Sequence, residues 1–148
     1  MARRSAWDAS EACALIEARR AEKGAMLPIL HDLLERFGYI DDAAIPLIAN
    51  ALNVSKAETV GVIAFYHDFR RTPPAKPVLK LCRAESCQAA GCEDLAAHLE
   101  RRHGHAIEIE TVYCLGHCAA SPAAMLDGEP MARLTPASLD AALAEAAR

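Results

Sequence analysis

Cys82 and Cys87 stand with four residues between them, and Cys114 and Cys118 with three. A thiolate is a soft anionic ligand, and two such pairs brought together can hold one small metal centre. Each pair follows a run that reads as a β-strand, so each is expected in a loop leaving a sheet. A [2Fe–2S] cluster needs two thiolates on each iron, and a loop with three or four intervening residues can wrap one iron. Structural zinc favours the tighter Cys-x-x-Cys knuckle but tolerates wider spacing. A thioredoxin-type redox disulfide needs Cys-x-x-Cys at a helix start, and no such motif occurs. Four unliganded thiols would leave the pairing at two strand ends to chance. The spacing therefore favours a [2Fe–2S] cluster that passes electrons and is not itself a site of substrate chemistry.

The neighbouring chemistry-bearing residues are weaker. Cys92 makes a competing Cys87-x4-Cys92 pair, but it opens a helical pattern and is expected as a packed helix-face thiol that does not easily reach the metal. Cys13 falls in an N-terminal helical stretch and is expected to be semi-buried. His117, between Cys114 and Cys118, raises Rieske-type ligation, which needs two histidines on one iron. No second histidine shares a loop with a suitable cysteine, so His117 is expected beside the metal, tuning its potential by outer contacts. His31, His67, His98, His103 and His105 form no ligand-spaced set, and His103-Gly104-His105 reads as a helix end and turn. There is no Gly-x-Gly-x-x-Gly, no P-loop and no Gly-x-Ser-x-Gly, so no catalytic residue and no substrate or nucleotide site is expected in this chain.

The elements that must position these cysteines fall into two halves. Residues 1–70 read as a helical bundle. A polar helix spans about 8–21. Ala25, Met26, Ile29, Leu30, Leu33, Leu34 and Phe37 recur at helical steps, with Gly38 as the stop. Asp41 or Asp42 is expected to cap a helix through Ile45, Leu47, Ile48 and Leu52, with Pro46 tolerated in its first turn. Ser55-Lys-Ala-Glu58 is a capping box for a helix through Val60, Ile63 and Phe65. Three prolines within residues 71–77 stiffen a linker. From residue 78 to 148 the reading is a short strand at Val78–Leu81, a helix over Glu93–Arg102 and an alternating strand from Ile107 to Tyr113. A hairpin of Ala124–Leu126 and Met131–Arg133 turns at Asp127-Gly128, and a last helix starts at Thr135-Pro136 and runs to the C-terminus. The order β-α-β-β-α is that of a thioredoxin-like α/β sandwich, and the whole chain reads as α+β.

The bulk numbers agree. The 148 residues suffice for one domain or two small ones. A hydrophobic share of 53% with 24% charged is ordinary for a globular chain. The net charge of -4 and scattered arginine pairs give no basic face for nucleic acid. No apolar run approaches the roughly 18 residues that span a bilayer. Arg3 and Arg4 have no apolar stretch behind them, so neither a Sec nor a twin-arginine signal is read. A cytoplasmic location is expected, where six cysteines point to metal or redox use and not to disulfides.

These motifs resemble a known family. Gly24-Ala-Met-Leu-Pro-Ile-Leu, Phe37-Gly-Tyr-Ile and Val60-Gly-Val-Ile-Ala-Phe-Tyr in the first half are similar to the thioredoxin-like [2Fe–2S] subunits of complex I, NAD-reducing hydrogenases and NAD-dependent molybdenum formate dehydrogenases. So are Leu81-Cys-Arg-Ala-Glu-Ser-Cys-Gln and Val112-Tyr-Cys-Leu-Gly-His-Cys-Ala in the second. The resemblance covers about residues 23–139, and within the family the cysteine motifs look most like the gamma subunit of cytoplasmic formate dehydrogenases. It implies Cys82, Cys87, Cys114 and Cys118 as the ligands of one [2Fe–2S] cluster. It also implies a partner subunit carrying flavin mononucleotide (FMN) and binding NAD, and a large subunit with molybdenum cofactor and further iron–sulfur clusters. The helical half would dock on the flavin subunit, and the cluster would exchange single electrons with the flavin. Two departures are the short Gly104-His-Ala-Ile link and Cys92 where relatives hold a small residue; neither touches the four cysteines.

Overall fold

Helix ends leave backbone groups without partners, and in this chain side chains supply them at the starts of three helices. In the computed structural model, which describes residues 6–146, Asp8 accepts the Glu11 N–H at 2.8 Å and starts α1 (Ala9–Arg19). Amphipathic α2 (Met26–Phe37) turns Ile29, Leu30, Leu33 and Phe37 inward and stops at Gly38. There a left-handed φ of 82° lets the Gly38 N–H reach the Leu34 carbonyl at 2.7 Å. Before α3 (Ala44–Leu52), Ala43 holds the N-cap position, with no side-chain cap. Of the two expected caps, Asp41 instead takes the Ala43 N–H at 2.8 Å and its carbonyl receives the Ala44 N–H, while the Asp42 carbonyl receives the Ile45 N–H, so both shape the turn ahead of the helix. Ser55 and Glu58 exchange backbone N–H bonds at 3.1 and 2.8 Å to open α4 (Lys56–Phe65).

The chain divides into two compact units between Pro74 and Ala75. The first unit closes on Ile29, Leu30, Leu33, Phe37, Ile48 and Ile63, with Ala12 and Ile16 of α1 joining them. The readings that fall on residues 1–5, including Arg3, Arg4 and the leader reading, lie outside the described residues, and Cys13 is exposed where partial burial was expected. Among the described residues no helix is long and apolar enough to cross a membrane.

The second unit is built on a four-stranded sheet in the order β2-β1-β3-β4. Central β1 (Val78–Cys82) pairs parallel with β2 (Glu108–Val112) and antiparallel with β3 (Ala124–Leu126). β3 turns through Asp127 and Gly128, both at positive φ, into β4 (Glu129–Met131). This two-residue turn starts β4 two residues earlier than expected. Between β1 and β2 run a short helix α5 (Glu85–Ala89), expected as plain loop, and α6 (Cys92–His103). Helix α7 (Pro136–Ala146) is opened by Thr135 and Ser138, which bond each other's backbone N–H at 3.2 and 2.9 Å. Leu79, Leu81, Ala124 and Leu126 oppose one another in the register and form one face, which α6 and α7 cover with Leu95, Leu99, Leu139 and Leu143.

Two histidines that no sequence spacing pairs meet on one carboxylate. His98 and His103 of α6 both place Nε2 2.7 Å from the same oxygen, Asp140 Oδ1 of α7, and Arg102 reaches the other oxygen at 3.8 Å. Two ring N–H groups sharing one carboxylate oxygen is a hydrogen-bonded clamp. Its 2.7 Å spacings are tighter than the roughly 3.3 Å between ligand atoms around a tetrahedral zinc. His103, then His98, hold the Asp140 carboxyl at about 2, below its ordinary 3.8.

Two measurements test this packing. Leu99 is wholly buried, so Leu99→Ala is expected to cost about 2–5 kcal/mol in denaturant unfolding of the sheet unit. Because the folded Asp140 carboxyl titrates below its unfolded value, its stabilisation is present above about pH 4 and disappears as pH falls toward 2. Asp140→Asn is therefore expected to lower the melting temperature at pH 6 and to narrow its gap to the parent between pH 4 and 2.

Candidate metal centre

Parallel strands leave a sheet on the same side, and here that brings the cysteines together. Cys82 is the last residue of β1 and is opposite Val112, the last of β2. Arg83 continues the ladder by donating its N–H to the Val112 carbonyl at 2.9 Å. Cys87 follows on α5, while Cys114 stands two residues beyond β2 and Cys118 opens a single 3-10 turn (Cys118–Ala120). Cys114 holds a left-handed backbone at φ 89°, unusual for a residue with a Cβ and worth about 1–3 kcal/mol of strain. Gly116, at φ 80°, completes the bend and points its N–H at Cys114 Sγ from 3.4 Å.

The four sulfurs lie close enough to act on one another. Burial pushes the Cys82 thiol up, but the Ala84 N–H, the Cys87 side chain and the Cys114 and Leu115 N–H groups outweigh it, and the thiol sits below its ordinary value. Two of those N–H donors belong to the other cysteine loop, so the second loop already solvates the first loop's sulfur. Cys114 and Cys118 Sγ are 3.7 Å apart. Cys118 is held above its ordinary value, first by its hydrogen bond to Cys114 and also by the nearness of Cys87 and Cys82. Cys82 and Cys87 are 2% exposed, whereas Cys114 and Cys118 lie open to solvent.

The surroundings are firm. The Cys82 N–H binds the Ala123 carbonyl at 3.0 Å, and Arg133 and Leu134 donate to Ala120 and Pro122, tying the segment after Cys118 down. Arg83 grips Glu93 of α6 with two guanidinium nitrogens, which holds the Glu93 carboxyl below its usual range. Cys92 is fully buried in the same apolar cluster as Cys82, Cys87 and Ala123, closer to the centre than the sequence suggested. Burial, then Glu93, push its thiol up. His117 is exposed, just ahead of the 3-10 turn, which its carbonyl anchors by accepting the Ala120 N–H at 2.9 Å. No motif marks Ser86 and Ser121, which join the two loops: their hydroxyls are 2.9 Å apart, and each lies within 3.0 Å of the Cys118 carbonyl as a donor.

A two-iron cluster needs four sulfur donors from two short segments, with N–H groups turned toward sulfur to offset its charge. The set of Cys82, Cys87, Cys114 and Cys118 meets that need, and its donors are all sulfur. Comparison with known proteins bears on the family. Residues 12–147 match the family model described as thioredoxin-like [2Fe-2S] ferredoxin. The chain is 31% identical over 138 residues to NADH-quinone oxidoreductase subunit 2 of Thermus thermophilus, covering 86% of this chain and 75% of that one. It is 25% identical to NADP-reducing hydrogenase subunit HndA of Solidesulfovibrio fructosivorans, across 91% and 84% of the two chains. Its fold superposes on an air-oxidised NAD+-reducing [NiFe]-hydrogenase with a TM-score of 0.67 at 26% identity, over 86% of this chain. The chain spans only 23% of that hydrogenase chain. Fold, sulfur set and relatives converge: the chain belongs to the thioredoxin-like [2Fe-2S] ferredoxin family and carries one [2Fe–2S] cluster.

Proposed function

We propose that this chain is the gamma-type electron-transfer subunit of a cytoplasmic NAD-dependent molybdenum formate dehydrogenase, with Cys82, Cys87, Cys114 and Cys118 as its cluster ligands. The observation that carries the ligand set is the crossing of N–H groups from the Cys114 loop onto the Cys82 sulfur. When bound, the cluster supplies reversible one-electron chemistry. The chain's own residues hold it: Cys82 and Cys87 from a buried strand end and helix, Cys114 and Cys118 from the exposed side. That exposed side, with Tyr113 beside it at 78% exposure, is where an electron partner gains access. The partner is an FMN- and NAD-binding subunit, in keeping with relatives named as NADH-quinone oxidoreductase and NADP-reducing hydrogenase subunits. A larger subunit would hold the molybdenum cofactor and further clusters. The formate assignment rests on Cys-Arg-Ala-Glu-Ser-Cys-Gln and Tyr-Cys-Leu-Gly-His-Cys.

Docking falls to the helical unit. Met26, Val54, Val62, Phe65 and Tyr66 line an open apolar groove of about 580 Å³, and Phe65 is 74% exposed. A large exposed aromatic beside an apolar groove fits a partner-binding surface.

Anaerobically purified chain is expected to hold about two iron and two sulfide and to give a rhombic EPR signal on reduction. One zinc per colourless chain would replace this reading with a zinc-stabilised assembly module. Among serine variants, Cys82, Cys87, Cys114 and Cys118 should each lose most of the iron, while Cys92→Ser keeps it; the reverse pattern would move the ligand set to Cys92. Affinity purification from the native cell should bring down a molybdenum-containing subunit and formate-dependent NAD reduction. A nickel–iron or quinone-reducing partner would assign the chain to a hydrogenase or complex I. Phe65→Glu is expected to abolish recovery of the flavin subunit without loss of iron.

A further inference from the structure

Two hydroxyls stand between the cysteine loops, and one of them touches a sulfur. Ser121 Oγ lies 3.6 Å from Cys87 Sγ and 2.9 Å from Ser86 Oγ. Ser86 sits beside Cys87 on α5, and Ser121 ends the segment that follows Cys118, 35 residues later. Both serines are half-buried, and the sulfur they face is 2% exposed. Ser121 is not free to drift: Ala120, Pro122 and Ala123 each accept a backbone N–H, from Arg133, Leu134 and Cys82.

The direction of these bonds is open only while Cys87 keeps its proton. A thiol can donate to Ser121, whose hydroxyl then turns to the Cys118 carbonyl 2.9 Å away. A sulfur bound to iron has no proton and can only accept. The chain of hydroxyls then runs one way, from Ser86 to Ser121 to Cys87 Sγ, and the exposed Cys118 carbonyl is left to water. Successive hydroxyls aligned this way polarise one another in a poorly solvated site.

We infer that Ser121, backed by Ser86, is a positioning residue that donates a hydrogen bond to the Cys87 sulfur and raises the reduction potential of the cluster. The inference rests on Cys87 being a ligand. Reduction adds one electron to the cluster and spreads negative charge onto its sulfurs, so a fixed donor favours the reduced form more than the oxidised one. Apolar replacement removes that preference. Ser86 acts one step back, by making the Ser121 hydroxyl a better donor.

The test uses the full-length cluster-loaded chain and compares the parent with Ser121→Ala, Ser121→Thr and Ser86→Ala. Potentials are read by EPR-monitored dithionite titration, and iron–cysteine stretching frequencies by resonance Raman in water and in deuterium oxide. Ser121→Ala is expected to weaken electron affinity about three- to tenfold, a fall of about 30 to 60 mV for one electron. It should also shrink the solvent-isotope shift of the iron–cysteine band. Ser121→Thr keeps the hydroxyl and should restore both, while Ser86→Ala should move the potential the same way by less. An unchanged potential and isotope shift in Ser121→Ala would overturn the inference. So would a threonine variant that behaves like alanine, since packing alone would then be the cause. Cys87→Ser separates the two failures: parental iron content and EPR spectrum in that variant would remove Cys87 from the ligand set. Iron loss or altered spectra there with a silent Ser121→Ala would sink only the hydroxyl.

Discussion

The parallel pairing of β1 with β2 is the constraint on which the rest depends. Register places Cys82 opposite Val112, so both strands release their chains at one edge of the sheet. A slip of one residue would turn Leu79 and Leu81 away from α6 and α7 and carry Cys82 to the opposite face. The apolar core therefore specifies the position of the first sulfur. Parallel strands also need a crossover, and α5 and α6 provide it while delivering Cys87 and burying Cys92.

Gathering four sulfurs carries an electrostatic cost. Thiolates repel, and two of these are buried, so donors must stand ready before any metal binds. The loops answer with backbone N–H groups aimed at Cys82 from both segments and at Cys114 from Gly116. The left-handed backbone at Cys114 falls between the Cys114 and Leu115 N–H groups that bond the Cys82 sulfur. The result is asymmetric, with one pair of sulfurs in the interior and the other at the surface. Two of the sulfurs are thereby shielded from solvent and two are open to it.

The helical unit contributes by a different physics. Its core of Ile29, Leu33, Phe37 and Ile48 closes on itself, and it still leaves Phe65 and Tyr66 facing solvent beside an apolar groove. Unburied aromatics of that size are the surface on which the proposed docking rests.

Features that depend on neighbours in sequence were legible beforehand. The Ser55–Glu58 capping box, the Gly38 stop and the Asp127-Gly128 turn follow from residues one to three apart. The cysteine spacings likewise announced a [2Fe–2S] cluster, because a metal restricts how few residues may separate two of its ligands. Local reading fails where short elements compete with turns: α5 reads as loop, and Asp41 or Asp42 reads as the cap at the position Ala43 occupies. Contacts between distant segments had to wait for packing. It drew His98 and His103 onto Asp140, buried Cys92 beside Cys82 and Cys87, and set the Ser86 and Ser121 hydroxyls between the loops. Those residues are ordinary in sequence because a hydrogen bond across 35 or more positions leaves no periodic trace; it exists only once β1, β2 and the two helices have packed.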